Sequence, residues 1–248
     1  MKVLIALSTY NRPVITRICL ENLAPFRSAD VKLVVYDDAS DAYDKAYLSG
    51  YADEVIRFQS NGGIARSRAK TMRDFVYRHT DFDILYLTDN DTVHDPEFLP
   101  VLRSAFARQA GSETPLPVSL FNSRFHSAPE RVLGEATDFL FTKNIPGVSQ
   151  GYDRRLARLV VDALNVEPEL EFSAGWDWHY VTVLNRPCAL SRTSYLEHFA
   201  RDRLEGGMHQ KSSGLGEAGL VDFEVDRAVN PTAWLAGIRP QVIDKLLF

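Results

Sequence analysis

From the amino terminus, apolar residues come in short blocks that suit strands, separated by stretches where they recur at three- and four-residue spacing. KVLIALS (2–8), VKLVVYD (31–37), EVIRF (54–58) and DILYLT (83–88) are the β-rich runs. Between them the chain reads as a helix from about Pro13, a loop and helix after DDAS, and a helix from about Gly63. Strand, helix, strand at this spacing needs crossover connections, which predicts an α/β fold with a mostly parallel sheet covered on both faces. Ligands in such sheets bind outside the strands' carboxyl ends. STYN follows the first run, DDAS the second and TDND the fourth, so three polar clusters are expected at that one edge.

The rhythm breaks at SETPLPVS (112–119), where two prolines and polar residues mark a boundary between residues 1–115 and 116–248. Beyond it, GYDRRLARLVVDALN carries Leu156, Leu159, Val160 and Leu164 at helical spacing. The closing AWLAGIRPQVIDKLLF, interrupted by Pro240, reads as a segment that docks on the domain. At the start, MKVLIALSTYNRP has an apolar run too short for a signal sequence and reads as a first strand. No run approaches the roughly 18 apolar residues that a membrane span needs, so no transmembrane segment is expected.

Composition narrows the partners. Of 248 residues, 45% are hydrophobic and 25% charged, which suits a folded globular chain. A formal net charge of −5 provides no general cationic field, so nucleic acid is not the expected partner. Cys19 and Cys188 fit no metal or redox spacing and read as buried hydrophobes in a reducing compartment. The expected location is therefore cytoplasmic, with peripheral attachment to a membrane left open. Signatures of the GxGxxG, GxSxG, HExxH and paired CxxC kinds are missing. In GGMHQKSS (206–213), Gln210 stands where a phosphate-cradling loop needs glycine. These absences weigh against dehydrogenase, hydrolase and nucleotide triphosphatase chemistry.

TDND poses a conflict, because a strand built for the core ends in two like charges, Asp89 and Asp91. A divalent cation resolves it: hard carboxylate oxygens in a compact space suit Mg2+ or Mn2+ shared with a substrate diphosphate. The alternative is an Asp-rich turn capping a helix that begins near Pro96.

STYNRP, VVYDDAS, NGGIARSRA and LYLTDND, in that order, resemble the motifs of GT-A-fold, family-2-type nucleotide-sugar glycosyltransferases. The resemblance is close over about the first 110 residues. It implies a Rossmann-like half that binds the nucleotide sugar and a second half that binds the acceptor, in one continuous GT-A domain. It places Ser8, Tyr10 and Asn11 in the nucleotide pocket, and Asp38 at the base or ribose, with Asp37 supporting the loop. Asn61, Gly63 and Arg68 match an N-x-G followed by arginine, with Ala69 in place of the commoner asparagine. Arg68 would meet the diphosphate with its planar fork, or else be a solvated helix arginine. Asp91 and Asp89, with Asn90 between them, match the DxD that holds Mn2+ or Mg2+.

In the second half, SAGWDWHYV (173–181) places Asp177 between Trp176 and Trp178. The resemblance makes Asp177 the catalytic base, and Trp176 or Trp178 is a candidate to stack on a sugar face; the alternative is a core Trp pair with Asp177 as a helix cap. SYLEHFARDRLEGGMHQ (194–210) resembles a segment whose histidine closes the site. His209, in a glycine-rich loop, is the candidate metal ligand, and His198, expected within a helix, a candidate sugar contact. Gly147 and Gln150, in NIPGVSQGYDRR, are further candidates over the donor sugar.

The implied activity is metal-dependent hexosyl transfer from a nucleoside-diphosphate sugar, UDP slightly favoured, to an acceptor hydroxyl with inversion. The acceptor is a glycan, a lipid-linked glycan or another hydroxyl-bearing molecule. Two alternatives stand beside it: a GT-A-like sugar nucleotidyltransferase, and an inactive nucleotide-sugar-binding domain.

Overall fold

The computed structural model describes residues 1–172, 176–199 and 227–247. In chain order the strands are β1 (Val3–Thr9), β2 (Val31–Asp37), β3 (Glu54–Arg57), β4 (Ile84–Asp89), β5 (Thr92–His94), β6 (Val118–Ser119), β7 (Val132–Glu135), β8 (Phe139–Thr142), β9 (Ser149–Asp153), β10 (Cys188–Ser191) and β11 (Leu196–His198). The helices are α1 (Pro13–Leu23), α2 (Lys45–Ser49), α3 (Gly63–Tyr77), α4 (Phe98–Ala107), α5 (Arg154–Val166), α6 (Trp176–Leu184) and α7 (Ala233–Leu247).

One nine-stranded sheet runs β3-β2-β1-β4-β9-β6-β10-β8-β7, and β5 with β11 forms a separate two-stranded ribbon. The first four neighbours are all parallel. Strand β9 continues the sheet antiparallel to β4, so residues on both sides of position 115 share it. Register levels the strand ends: Thr9 pairs with Asp37, and Ser8 with both Tyr36 and Asp89.

The period-2 alternation of the strands assigns the two faces. Val3, Ile5, Leu7, Ile84 and Tyr86 pack toward Cys19, Leu20 and Leu23 of α1 and Phe98, Leu102 and Phe106 of α4. Leu4, Ala6, Leu85 and Leu87 face Ala69, Met72 and Phe75 of α3 and Leu156, Val160 and Leu164 of α5. Each buried Val, Leu, Ile, Phe or Met side chain among them contributes about 1.5–3 kcal/mol. Gly151 of β9 permits the close approach of α4, since a Cβ there would lie 3.0 Å from Leu102 Cδ1 and from Phe106 Cε2.

Asp153 caps the start of α5, its carboxylate accepting from Leu156 N at 2.8 Å. Pro240, expected to interrupt the closing segment, instead lies inside α7. Proline removes one helical N–H, but Pro240 and Ala236 are both exposed, so water can satisfy the carbonyl that loses its donor. Both cysteines are free and buried, and burial pushes each thiol up to about 12. Among the described residues, no helix is long and apolar enough to cross a membrane.

Candidate functional site

The carboxyl ends of β1, β2 and β4 meet the amino end of α3, and the loops there have unusual backbones. Asn11, Arg12 and Ala39 take positive φ values of 52°, 61° and 62°. Asparagine tolerates this region, but arginine and alanine are strained in it by about 1–2 kcal/mol each. Side-chain bonds hold the loops in place. Asn11 Oδ1 accepts from Asp41 N at 2.8 Å and Ala42 N at 3.1 Å, and Asn11 N donates to Ser40 Oγ at 2.8 Å. Asp37 is fully buried; it accepts from Ser40 N at 3.0 Å, Ser40 Oγ at 2.5 Å and Arg57 Nη1 at 2.7 Å. It therefore supports the loop. A cavity of about 510 Å3 opens beside this loop, lined by Pro13, Ser40, Tyr43, Tyr47 and Arg57 among others.

Several residues expected to touch a nucleotide turn out to hold the edge together. Asp38, expected at the base or ribose, is buried and accepts from Gly62 N at 2.9 Å and Gly63 N at 2.7 Å at the start of α3. Burial pushes its carboxyl up, against the opposing pull of those two N–H groups. Gly63 adopts φ +83°, a conformation that costs glycine little. Ser8 Oγ lies 2.8 Å from Ser67 Oγ. Asn90 donates to Thr16 Oγ1 at 2.7 Å and Thr9 Oγ1 at 3.1 Å, joining the tip of β4 to the first loop. Tyr10 and Asn61 are exposed at the rim.

Arg68 departs furthest from expectation. The sequence offered a fork on the diphosphate or a solvated arginine, yet the side chain is fully buried. Its guanidinium donates to Thr88 O at 2.7 Å and Ala6 O at 3.3 Å and pairs with Asp89. It braces the DxD strand from beneath.

Asp91 lies above that brace. Its Oδ2 accepts from Arg12 Nη1 at 2.8 Å, and its Oδ1 faces His198 Nε2 at 3.4 Å. Neither Asp89 nor Asp91 caps the following helix: Asp95 accepts from Glu97 N at 2.6 Å just before α4 begins. Burial raises the Asp91 carboxyl, but the facing His198 and Arg12 outweigh it and hold the group well below the usual carboxylate range. Asp89 is pushed the other way, by burial first and by the Asp91 charge, with Arg68 opposing.

His198 lies in strand β11, not in a helix. It pairs across the ribbon with Thr92, and Phe199 N donates to Asp91 O at 2.8 Å. The ribbon thus carries His198 to Asp91, a placement that depends on a pairing partner about a hundred residues earlier in the chain. His209 and the side chains of Trp176 and Trp178 lie outside the described residues. Asp177 stands in the first turn of α6, half-buried, where its charge bears on Tyr152. Tyr152 donates to Gln150 Oε1 at 2.6 Å. The register Ser149↔Thr88 runs the segment containing Gly147 out past the tip of β4.

The ligand set suits a divalent ion. Among the described residues no group of three or more His, Cys, Asp or Glu is arranged to hold one, but Mg2+-type ions shared with phosphates need only one or two protein carboxylates. Asp91 Oδ1 is buried and makes only the 3.4 Å contact with His198 Nε2 among the described residues. A carboxylate oxygen left so, beside an imidazole and a second aspartate, fits Mn2+ or Mg2+.

The model of the family described as "Glycosyl transferase family 2" matches residues 4–152, more than half of the chain. The chain belongs to glycosyl transferase family 2. No curated protein matches this family 2 chain. Three solved structures share its GT-A fold. Staphylococcus aureus TarS 1–349 is similar with TM-score 0.56 and 16% identity, over 79% of this chain and 60% of that one. The mannosyltransferase PcManGT from Pyrobaculum calidifontis, in complex with GDP-Man and Mn2+, gives 0.55 and 17%, over 76% and 56%. GalNAc-T7 with UDP, GalNAc and Mn2+ gives 0.53 and 10%, over 77% and 42%. The family 2 chain thus spans about 60% or less of the length of these structures.

Sequence reasoning missed Arg12 as a partner of Asp91. The signal was present in STYNRP, but its meaning depends on a left-handed backbone that arginine rarely adopts.

Proposed function

We propose that the chain transfers a sugar from a nucleoside-diphosphate donor to an acceptor hydroxyl, with the donor lying across the carboxyl edge of β1, β2 and β4. The observation that carries this reading is Asp91: a buried carboxylate at the tip of β4, braced through Asp89 and Arg68 and faced by Arg12 and His198. Structures of similar fold were solved with GDP-Man and with UDP, which supports a nucleoside diphosphate; UDP is slightly favoured here by family association.

Asp91, with Asp89 assisting and His198 beside it, would hold Mn2+ or Mg2+. Such an ion neutralises the charge that gathers on the leaving diphosphate. The chain's own residues do the rest. Tyr10 and Asn61 stand at the rim where the nucleotide enters. The network of Asn11 with the buried Asp37, Asp38 and Asn90 fixes the loops, so the site is already shaped when the donor arrives. Asp177 takes the proton from the acceptor hydroxyl as that oxygen bonds to the anomeric carbon. The carbon–oxygen bond to the diphosphate breaks, and the nucleoside diphosphate leaves with the electron pair. Attack from the opposite face inverts the anomeric centre. Gly147 borders the donor sugar, on which Trp176 or Trp178 stacks, whereas the Gln150 side chain is fully buried and spends its amide on Ile145 O and Tyr152 Oη.

Product analysis tests the reading. The purified chain is incubated with a panel of intact sugar nucleotides and Mn2+, and separately with nucleoside triphosphates plus sugar phosphates. Release of nucleoside diphosphate and a glycosylated acceptor from the first mixture is expected. Pyrophosphate from the second would identify a nucleotidyltransferase, and donor binding without turnover would identify an inactive binding domain.

A further inference from the structure

Arg12 is positioned by an unusual turn. Asn11 and Arg12 are consecutive left-handed residues, at φ 52° and 61°, and Pro13 then opens α1 with no side-chain cap. Such strain persists only where the surroundings over-determine it. Here they do, because the Asn11 side chain is tied to Asp41 N and Ala42 N, the Asn11 backbone carbonyl accepts from Tyr43 Oη at 2.9 Å, and Thr16 N donates to Arg12 O at 2.9 Å. The turn directs the Arg12 side chain, only 10% exposed, to place Nη1 2.8 Å from Asp91 Oδ2. A strained backbone has thus put a guanidinium on the carboxylate that the proposed donor site needs.

We infer that Arg12 is a place-holding cation: it neutralises Asp91 in the donor-free chain, yields that carboxylate to the divalent ion, and then takes a phosphate oxygen of the donor as its new partner. This rests on the donor-site reading above. Charge is compensated in the two end states of the exchange, which matters because a buried charge left without a partner is costly. In the donor-free chain the guanidinium compensates Asp91; in the loaded chain the ion does, and the guanidinium compensates the diphosphate. A planar fork of donors suits phosphate as well as carboxylate, so one side chain can serve both partners without moving far.

While Arg12 covers Asp91, the ion sees only the fraction of molecules in which it has let go, and apparent affinity falls by that fraction. If Arg12 covers Asp91 about nine-tenths of the time, its removal tightens binding of Mn2+ alone about tenfold. Removal also takes away a phosphate ligand, so UDP or GDP in the presence of saturating Mn2+ should bind about tenfold more weakly. A merely structural arginine would weaken both.

The experiment measures free Mn2+ by electron paramagnetic resonance and nucleotide affinity by calorimetry. It compares wild type with Arg12→Gln and Arg12→Asn, the second chosen because asparagine accepts the left-handed backbone, and circular dichroism confirms the fold of each. Tighter Mn2+ with weaker UDP or GDP in the folded variants is the expected result. Mn2+ affinity equal to or below wild type in the folded variants overturns the exchange while leaving the donor site intact. Failure of the wild-type chain to bind Mn2+, with or without either nucleotide, overturns the site reading and this inference with it.

Discussion

Replacing Arg68 by methionine should cost stability in proportion to how completely its guanidinium is buried. The side chain is fully buried and spends its donors on Thr88 O, Ala6 O and the Asp89 carboxylate. Methionine keeps most of the apolar stem, so little is lost to cavity formation. Removing one partner of a buried ion pair costs about 3–5 kcal/mol, mostly because the other charge is left unpaired. The Asp89 side chain is 23% exposed, so water relieves part of this and the lower figure, about 3 kcal/mol, applies. At roughly 2–4 °C per kcal/mol for a chain of this size, Tm should fall by about 6–12 °C. Urea and thermal unfolding followed by circular dichroism measure the loss, and calorimetry with UDP or GDP measures the site. The double variant Arg68→Met/Asp89→Asn should recover part of the stability, because the uncompensated charge is gone. An Arg68→Met protein whose Tm stays within about 2 °C of wild type while donor nucleotide binding is lost would refute the bracing role and restore the direct diphosphate contact.

Asp177→Asn should lower the transfer rate by about 100-fold or more and leave donor affinity nearly unchanged, as removal of a general base does; equal losses in rate and in calorimetric affinity would point to binding or folding instead. Arg239 pairs with the carboxylate of Glu197, which is 1% exposed and lies next to His198. Arg239→Met should therefore destabilise the chain by about 3 kcal/mol, and Glu197→Gln in the same protein should restore much of it; urea midpoints that do not recover in the double variant would contradict the pairing. His94 is completely buried, and burial pushes its imidazole down to about 3. The folded chain keeps His94 neutral while the unfolded chain takes up a proton below about 6.5, so its contribution is present above that pH and is lost as pH falls toward 3. Unfolding free energy should thus fall by about 1.4 kcal/mol per pH unit more in wild type than in His94→Gln between pH 6 and 4.5; parallel slopes would contradict it.

The parallel half of the sheet was legible because β1, β2 and β4 bury both faces and carry apolar residues almost without interruption. Strands as short as Val118–Ser119 have no pattern of their own, since their existence is set by β10 and β9 on either side. The same division governs the site. Asp91 could be singled out because two carboxylates at the end of a core strand demand an explanation. His198 could not be placed, because its strand exists only by pairing with Thr92–His94. Asp38, Asn90 and Arg68 look like ligand contacts in sequence, because polar residues at a strand edge look alike whether they face a substrate or the protein's own polar groups. Arg12 was passed over for the converse reason, since only the left-handed turn reveals where it reaches.

Anomalous diffraction at the manganese edge, from crystals of the chain soaked with MnCl2 and UDP or GDP, tests the central claim most directly. A single strong peak is expected within coordination distance of an Asp91 oxygen, next to the bound nucleotide. A nucleotide bound elsewhere, or a chain in which Asp91 keeps Arg12 and His198 as its partners with no manganese beside it, would contradict it.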